Sequence, residues 1–190
     1  MVPYRSVSER LAERRLKKGA SPGHVAVVFE KDIEPSKLRD FYVWCEELGV
    51  EKATACVPDA DENHRERLED ALGDLDPPVE TTEGDERAGG SRVLSYATGT
   101  GELVGVFRRL TEGIEEDELE PDEIDFSEIE KRLAVPGEPD LVIDTTGKRL
   151  SDVLVWQTVY SELCQIDDFN RSVFVGCLDD YRERERRFGR

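Results

Sequence analysis

PDLVIDTTGKRLSDVLVWQTVYSE, residues Pro139 to Glu162, is the stretch whose reading decides the fold. Leu141, Val142 and Ile143 form a short apolar run, as in a strand covered on both faces. Thr145, Thr146 and Gly147 break it. Ser151 can cap a helix over the next residues, and Asp152 adds negative charge in its first turn. Leu154, Trp156, Val159, Tyr160 and Leu163 recur at mostly helical spacings and predict that helix. In an open α/β sheet, ligands bind where such a loop leaves the carboxyl end of a strand. Lys148 and Arg149 put two cations in this loop, which suits an anion such as a phosphate. Basic residues also occupy such loops with no ligand role, so the loop alone does not choose.

Working outward, the same alternation recurs. His24 to Phe29 reads as a buried strand with Glu30, Lys31 and Asp32 at its carboxyl end. Ser36 is the expected cap of a helix over Lys37 to Leu48, with Leu38, Phe41, Tyr42, Cys45 and Leu48 on its apolar face and Gly49 as its stop. Residues 50 to 57 read as a second strand and Arg92 to Tyr96 as a third. Thr98 to Gly101 reads as a flexible turn. A helix over Glu102 to Gly113 comes next, with Leu103, Val106, Phe107 and Leu110 facing inward. Asp125 to Leu133 reads as a short helix, and a last one runs from about Ser172 to Arg187. The expectation is an α/β fold with a mostly parallel central sheet flanked by helices. Residues 1–23 form a charged helical arm, and 24–190 a single domain. Within it the segment 58–90 is short, polar and acidic, with one helix around Arg65 to Leu72.

The 190 residues carry 44 acidic and 26 basic side chains, a formal charge of -18. Such a shell fits a high-salt cytoplasm, where screening suppresses self-repulsion, or simply an acidic cytosolic protein. Either reading argues against nonspecific nucleic-acid binding, which needs a basic surface. Cys45, Cys56, Cys164 and Cys177 form no CxxC pair, and His24 and His64 are the only histidines, which argues against a zinc site. The cysteines read as reduced, mostly buried thiols. No signal-peptide core or membrane-spanning run is present, so the expected location is cytoplasmic, with membrane contact only peripheral.

Residues 139–189 strongly resemble the C-terminal third of cis-prenyltransferases, the family of undecaprenyl and dehydrodolichyl diphosphate synthases. The resemblance rests on PDLVI, the TG and RLS after it, VLVWQTVYSEL, and the ending YRERERRFG. RRLKKGASPGHVAVVFE resembles the entry to the family's first strand, and RRL at 108 to 110 sits where a family helix should. The resemblance implies the fold and a chemistry in which isopentenyl diphosphate is added to an allylic diphosphate with magnesium. It implies diphosphate binding by Arg149 and Ser151, matching the family's RxS, and a metal-linked role for Glu162. Arg187 and Gly189 match an RxG tail that reaches across a dimer to the partner's diphosphate site.

The departures are as specific. The family's first strand ends in Asp-Gly-Asn-x-Arg-Trp, and here the run is Glu30, Lys31, Asp32, so those two carboxylates are weak catalytic or metal candidates. The Asn-Tyr-Gly-Gly-Arg turn appears as Ala97, Thr98, Gly99, Thr100, without the Arg. The Arg expected after PDLVI is Asp144, which reverses a charge beside a diphosphate. Residues 58–90 are too polar for the apolar tunnel that houses a growing prenyl chain. The pattern, with FYVWCEELGV at 41 to 50, is similar to Nogo-B receptor-type subunits, which pair with a catalytically complete homologue. The implied function is a non-catalytic or weakly catalytic subunit of a heteromeric enzyme, as a heterodimer or with itself, with magnesium at a site shared with the partner. An autonomous short-chain synthase and a scaffold that kept only the fold are the alternatives.

Overall fold

The computed structural model describes residues 21–147 and 152–188, with side chains described as far as Arg184. The arm expected over 6–18 lies outside the described residues, as do Arg149, Ser151 and Gly189. Arg187 falls in the last helix, but its side chain is also outside them.

Among the described residues, six strands form one sheet: β1 (His24–Val28), β2 (Lys52–Cys56), β3 (Glu80–Thr82), β4 (Arg92–Ser95), β5 (Leu141–Asp144) and β6 (Glu162–Gln165). Their order is β3-β4-β2-β1-β5-β6, and every pairing is parallel. β1 is central and wholly buried, because both faces of HVAVV are covered. Val25 and Val27 join the core cluster built with α1 (Pro35–Leu48), α2 (Glu62–Leu72) and α5 (Arg171–Phe188). Ala26 and Val28 join the opposite cluster, with Val135, Val153 and Leu154. The period of two along the strand thus sorts the side chains between two cores. On the first face an aromatic group ties α1 to the entry of α5. Phe29 meets Phe169 at 4.9 Å between ring centroids, Phe41 meets Phe174 at 5.9 Å, and Trp44 stacks on Phe169 at 5.6 Å. Among the described residues there are also α3 (Gly99–Glu115), the short α4 (Phe126–Lys131), capped by Asp125, and a 3-10 turn at Pro121–Glu123.

Several expectations are corrected. α1 starts at Pro35 with Glu34 as its N-cap, not at Ser36, because the fixed φ and missing N–H of proline suit the first helical position. The Thr98–Gly101 turn is the first turn of α3, with Thr98 Oγ1 accepting the Gly101 N–H at 3.0 Å. On that helix Val106 and Leu110 are buried, whereas Phe107 is 59% exposed. The segment 58–90 contains a strand, β3, whose three residues ETT sit at the sheet edge. The helix expected after Ser151 is replaced by bends and turns over 152–160 and by β6. Leu154 has φ 52, a left-handed conformation that a helix does not accept. Val153 and Leu154 are buried against the sheet there, whereas Val159 and Tyr160 are exposed. Finally, Cys164 and Cys177 are joined as a disulfide between β6 and α5, their Cα atoms 6.3 Å apart, while Cys45 and Cys56 are free and buried. Among the described residues no helix is long and apolar enough to cross a membrane.

His24 opens β1 at 7% exposure, its Nε2 paired with Thr54 Oγ1 at 2.9 Å. Burial, reinforced by the charge of Lys52, lowers its pKa from 6.5 to about 4. Falling pH therefore protonates the unfolded chain first. The stability that this neutral His24 contributes is whole above about pH 6.5 and drains away down to about pH 4, by roughly 3 kcal/mol in total. Urea unfolding should show wild type losing roughly 2 kcal/mol more than His24→Gln between pH 7.5 and pH 5. Equal losses would mean that His24 is not held neutral.

Candidate functional site

β1→β2 and β4→β5 place strands on opposite sides of β1, which opens a crevice at the carboxyl ends of the strands. A cleft of about 430 Å³ lies there, lined by Phe29 to Asp32, Pro58, Asp59, Thr98, Thr146, Asp152 and Val153. The loops after β1, β2, β4 and β5 all contribute. Glu30, Lys31 and Asp32 sit together at the end of β1 as the sequence predicts. Among the described residues the lining holds four carboxylates, Glu30, Asp32, Asp59 and Asp152, against one ammonium, Lys31. Arg149 and Ser151 lie outside the described residues, between Thr146 and Asp152, which both line the cleft.

Below the cleft, Asp144 ends β5 at 2% exposure. Its Oδ1 accepts the Thr146 N–H at 2.8 Å and the Thr146 hydroxyl at 2.7 Å, while its Oδ2 is buried without a hydrogen-bond partner. Cys56 ends β2 close by. Burial, with the charge of Glu102 added, pushes its thiol well up, so it stays protonated at neutral pH and is no nucleophile.

The N-terminus of α3 opens at this end of the sheet. Three free amides there would form an anion site, but the chain fills it with its own groups. Gly99 N–H donates to the Asp152 carbonyl at 2.6 Å, and Thr100 N–H to Asp152 Oδ1 at 2.9 Å. The Thr100 hydroxyl reaches both carboxylate oxygens, at 2.7 and 2.6 Å. Gly101 N–H is taken by Thr98. Asp152 therefore caps α3, not a helix of its own. Gly99 is required at this contact, since a Cβ there would lie 2.5 Å from Val155 Cγ2.

Glu162 is placed elsewhere. It opens β6, level with Leu141 and hence with Val25 near the start of β1. Glu30 lies five residues further along, roughly 16 Å in the strand direction. Glu162 pairs with Arg184 of α5, whose Nη1 is 3.4 Å from Glu162 Oε2. Magnesium, implied by the resemblance, thus finds no ligand set joining Glu162 to Glu30 or Asp32 within one chain. Among the described residues no three His, Cys, Asp or Glu side chains converge as metal ligands.

Asp59, Thr98 and the capping role of Asp152 are the site features that sequence reasoning missed. Thr98 had a signal: a threonine three residues before Gly101 and four before Glu102 reads as an N-cap with an acidic first turn. Asp152 had none, because its partner lies 52 residues away.

Freeing the amides should restore anion affinity. Asp152→Ala removes the carboxylate and leaves the Gly99 contact, which uses backbone. Inorganic diphosphate should then bind about tenfold more tightly than to wild type by calorimetry, as expected when a helix N-terminus regains its anion position. Unchanged affinity would mean that the cap does not compete with anions.

The profile of the prenyltransferase family described as "Putative undecaprenyl diphosphate synthase" matches residues 65–189. The tritrans,polycis-undecaprenyl-diphosphate synthase (geranylgeranyl-diphosphate specific) of Methanopyrus kandleri is 26% identical, covering 100% of this chain and 93% of the relative. That alignment runs over 251 positions against a chain of 190, so part of the relative has no counterpart here. An isoprenyl transferase of Streptococcus thermophilus is 31% identical over 81% of this chain and 70% of its own length. One of Zymomonas mobilis is 38% identical over 64% of this chain, which spans about half of it, 51%. Among solved structures, lavandulyl diphosphate synthase from Lavandula x intermedia, in complex with dimethylallyl diphosphate, superposes with a TM-score of 0.66 at 16% identity. The match covers 85% of this chain and 95% of that one, and it supports the fold. With two thirds of its length inside the family profile and a parallel sheet shared with solved members, the chain belongs to the cis-prenyltransferase family of undecaprenyl diphosphate synthase-like proteins.

Proposed function

We infer that this chain is an accessory subunit of a heteromeric cis-prenyltransferase, non-catalytic or weakly catalytic alone. Together with a full-motif homologue it would make polyprenyl diphosphate from isopentenyl diphosphate. The observation that carries this reading is the occupied N-terminus of α3. Where an allylic diphosphate would need free amides and cations, Asp152 already holds the amides. Among the described residues, three further carboxylates share the cleft with a single lysine. At an effective dielectric of about 20, each like charge 4 Å from a diphosphate charge costs about 4 kcal/mol before screening.

Two more observations support it. The buried residues of α2, Leu68 and Leu72, join the core under the sheet, so that helix offers its apolar side to the core and not to a prenyl tunnel. Val104 and Phe107 on α3 and Val155, Val159 and Tyr160 on the later turns are exposed apolar side chains. The two segments touch at Gly99 and Val155, which suits burial against a partner subunit. That resembles the Nogo-B receptor arrangement, with Arg187 and Gly189 of the tail reaching the partner's diphosphate and magnesium held at the partner's complete site. Arg149 and Ser151 would hold isopentenyl diphosphate. The charge of -18 fits a high-salt cytoplasm, with membrane contact only through the complex.

Chain elongation from labelled isopentenyl diphosphate tests the reading. The mixture with a full-motif homologue should exceed the homologue alone, and this chain alone should give little product. Arg187→Ala should lower turnover of the mixture about a hundredfold without changing its assembly, the scale of a lost diphosphate-stabilising donor. Long product from this chain alone would make it an autonomous synthase. No effect on the homologue, with or without Arg187, would leave a scaffold.

A further inference from the structure

β6 sits at the open edge of the sheet, bonded to β5 on one side only. None of its four residues is buried, whereas all four of β5 are. Its ladder is bracketed by two backbone bonds. Glu162 N–H donates to the Asp140 carbonyl at 2.9 Å, and Ile166 N–H to the Asp144 carbonyl at 3.0 Å. The ion pair of Glu162 with Arg184 joins side chains 30% and 53% exposed, and a pair so open to water contributes little. An edge strand with so little burial frays readily unless something else holds it.

The Cys164–Cys177 disulfide supplies that hold. The two cysteines are 13 residues apart, and the bond fastens β6 to α5, itself seated in the core by Phe174, Val175, Leu178 and Tyr181. The two residues differ in their surroundings: Cys177 is 4% exposed, while Cys164 is only partly buried. The other two cysteines, Cys45 and Cys56, are free thiols, and burial keeps both protonated and unreactive. Thiol–disulfide chemistry among the described residues is therefore confined to one cross-link at one edge of the sheet.

We propose that Cys164 and Cys177 form a reversible dithiol–disulfide site, a clamp that a dithiol reductant opens to release β6 from α5. One reductant thiolate attacks Sγ of Cys164, the residue of the pair more open to solvent. The Cys164–Cys177 bond breaks, and Cys177 leaves as a thiolate and takes up a proton. The second reductant thiol then attacks the reductant's own sulfur in the mixed disulfide, and Cys164 leaves and is protonated in turn. Two electrons and two protons pass to the chain, and the reductant closes to a disulfide. Beyond β6, Phe169 stays packed against Phe29 and Trp44, so the loosening ends there. The outer edge of β5 is then open to a strand from elsewhere. The clamp needs no prenyl substrate and no partner subunit, so it stands or falls apart from the accessory role.

Dithiothreitol on the full, folded chain is the test. Trypsin cuts after Arg149, Arg171 and Arg182, so the oxidised chain should yield peptides 150–171 and 172–182 as one linked species. Dithiothreitol added to the folded chain should separate them, and its oxidised form should rejoin them. In the reduced chain, amide exchange over Glu162 to Ile166 should rise about a hundredfold while that of β1 stays unchanged, the scale on which a short cross-linked loop restricts opening. Cys164→Ser should exchange fast there with or without reductant. Cys177→Ser, which leaves Cys164, should react faster with an aromatic disulfide reagent than Cys164→Ser, which leaves Cys177. No linked species from the oxidised chain, or one that yields to reductant only after unfolding, would overturn the proposal. Exchange over β6 that ignores the redox state would overturn the clamp, and the reverse order of reactivity would overturn the attack on Cys164.

Discussion

The hydrogen bonds from the first turn of α3 to Asp152 hold this molecule's functional end together. One residue gives its carbonyl to Gly99 and its carboxylate to the amide and hydroxyl of Thr100. The β5–β6 connection is thereby fastened to the loop after β4, across the crevice that an open parallel sheet leaves at its switch point. The same bonds consume the positive end of the helix. An acidic side chain at a helix N-terminus is favourable by about 0.3–1 kcal/mol in exposed geometry. An incoming diphosphate must displace it and then face Glu30, Asp32 and Asp59. Stability and anion binding compete for the same amides, and here the chain's own carboxylate holds them.

Sheet register adds a second constraint. Because all strands run one way, a residue's position along its strand decides which end of the molecule it serves. Glu30, Asp32, Asp59 and Thr146 come after strand ends and share the cleft. Glu162 begins a strand and faces Arg184 instead. Motif matching brings Glu162 into the family's metal site, whereas parallel geometry keeps it from Glu30 within one subunit. A role for it would need a different surface, such as one that a partner brings.

Much of the fold is legible where apolar period and punctuation agree. HVAVV, the Leu38–Leu48 stripe with Gly49 at φ 76, and the aliphatic start of α5 all carry their structure locally. Three features are not legible for physical reasons. β3 has two of its three residues exposed, so no hydrophobic pattern announces it. VLVWQTVY fits a helical period, yet Val153 and Leu154 are buried on the sheet while Val155, Val159 and Tyr160 are exposed, and Leu154 has a left-handed φ that no helical pattern announces. The Asp152 cap joins residues 52 apart, a pairing that exists only once the sheet has brought β4 and β5 to either side of β1. The candidate residues at the end of β1 needed no such help, because strand ends in a parallel sheet are where ligands bind.

The most direct measurement is calorimetric titration of an allylic diphosphate, with magnesium, into this chain alone and into its complex with a full-motif homologue. With Asp152 on the α3 amides, no saturable heat is expected from the chain alone, and one equivalent should bind per heterodimer. A 1:1 isotherm from the chain alone, weakened by Glu30→Ala, would contradict the loss of the allylic site.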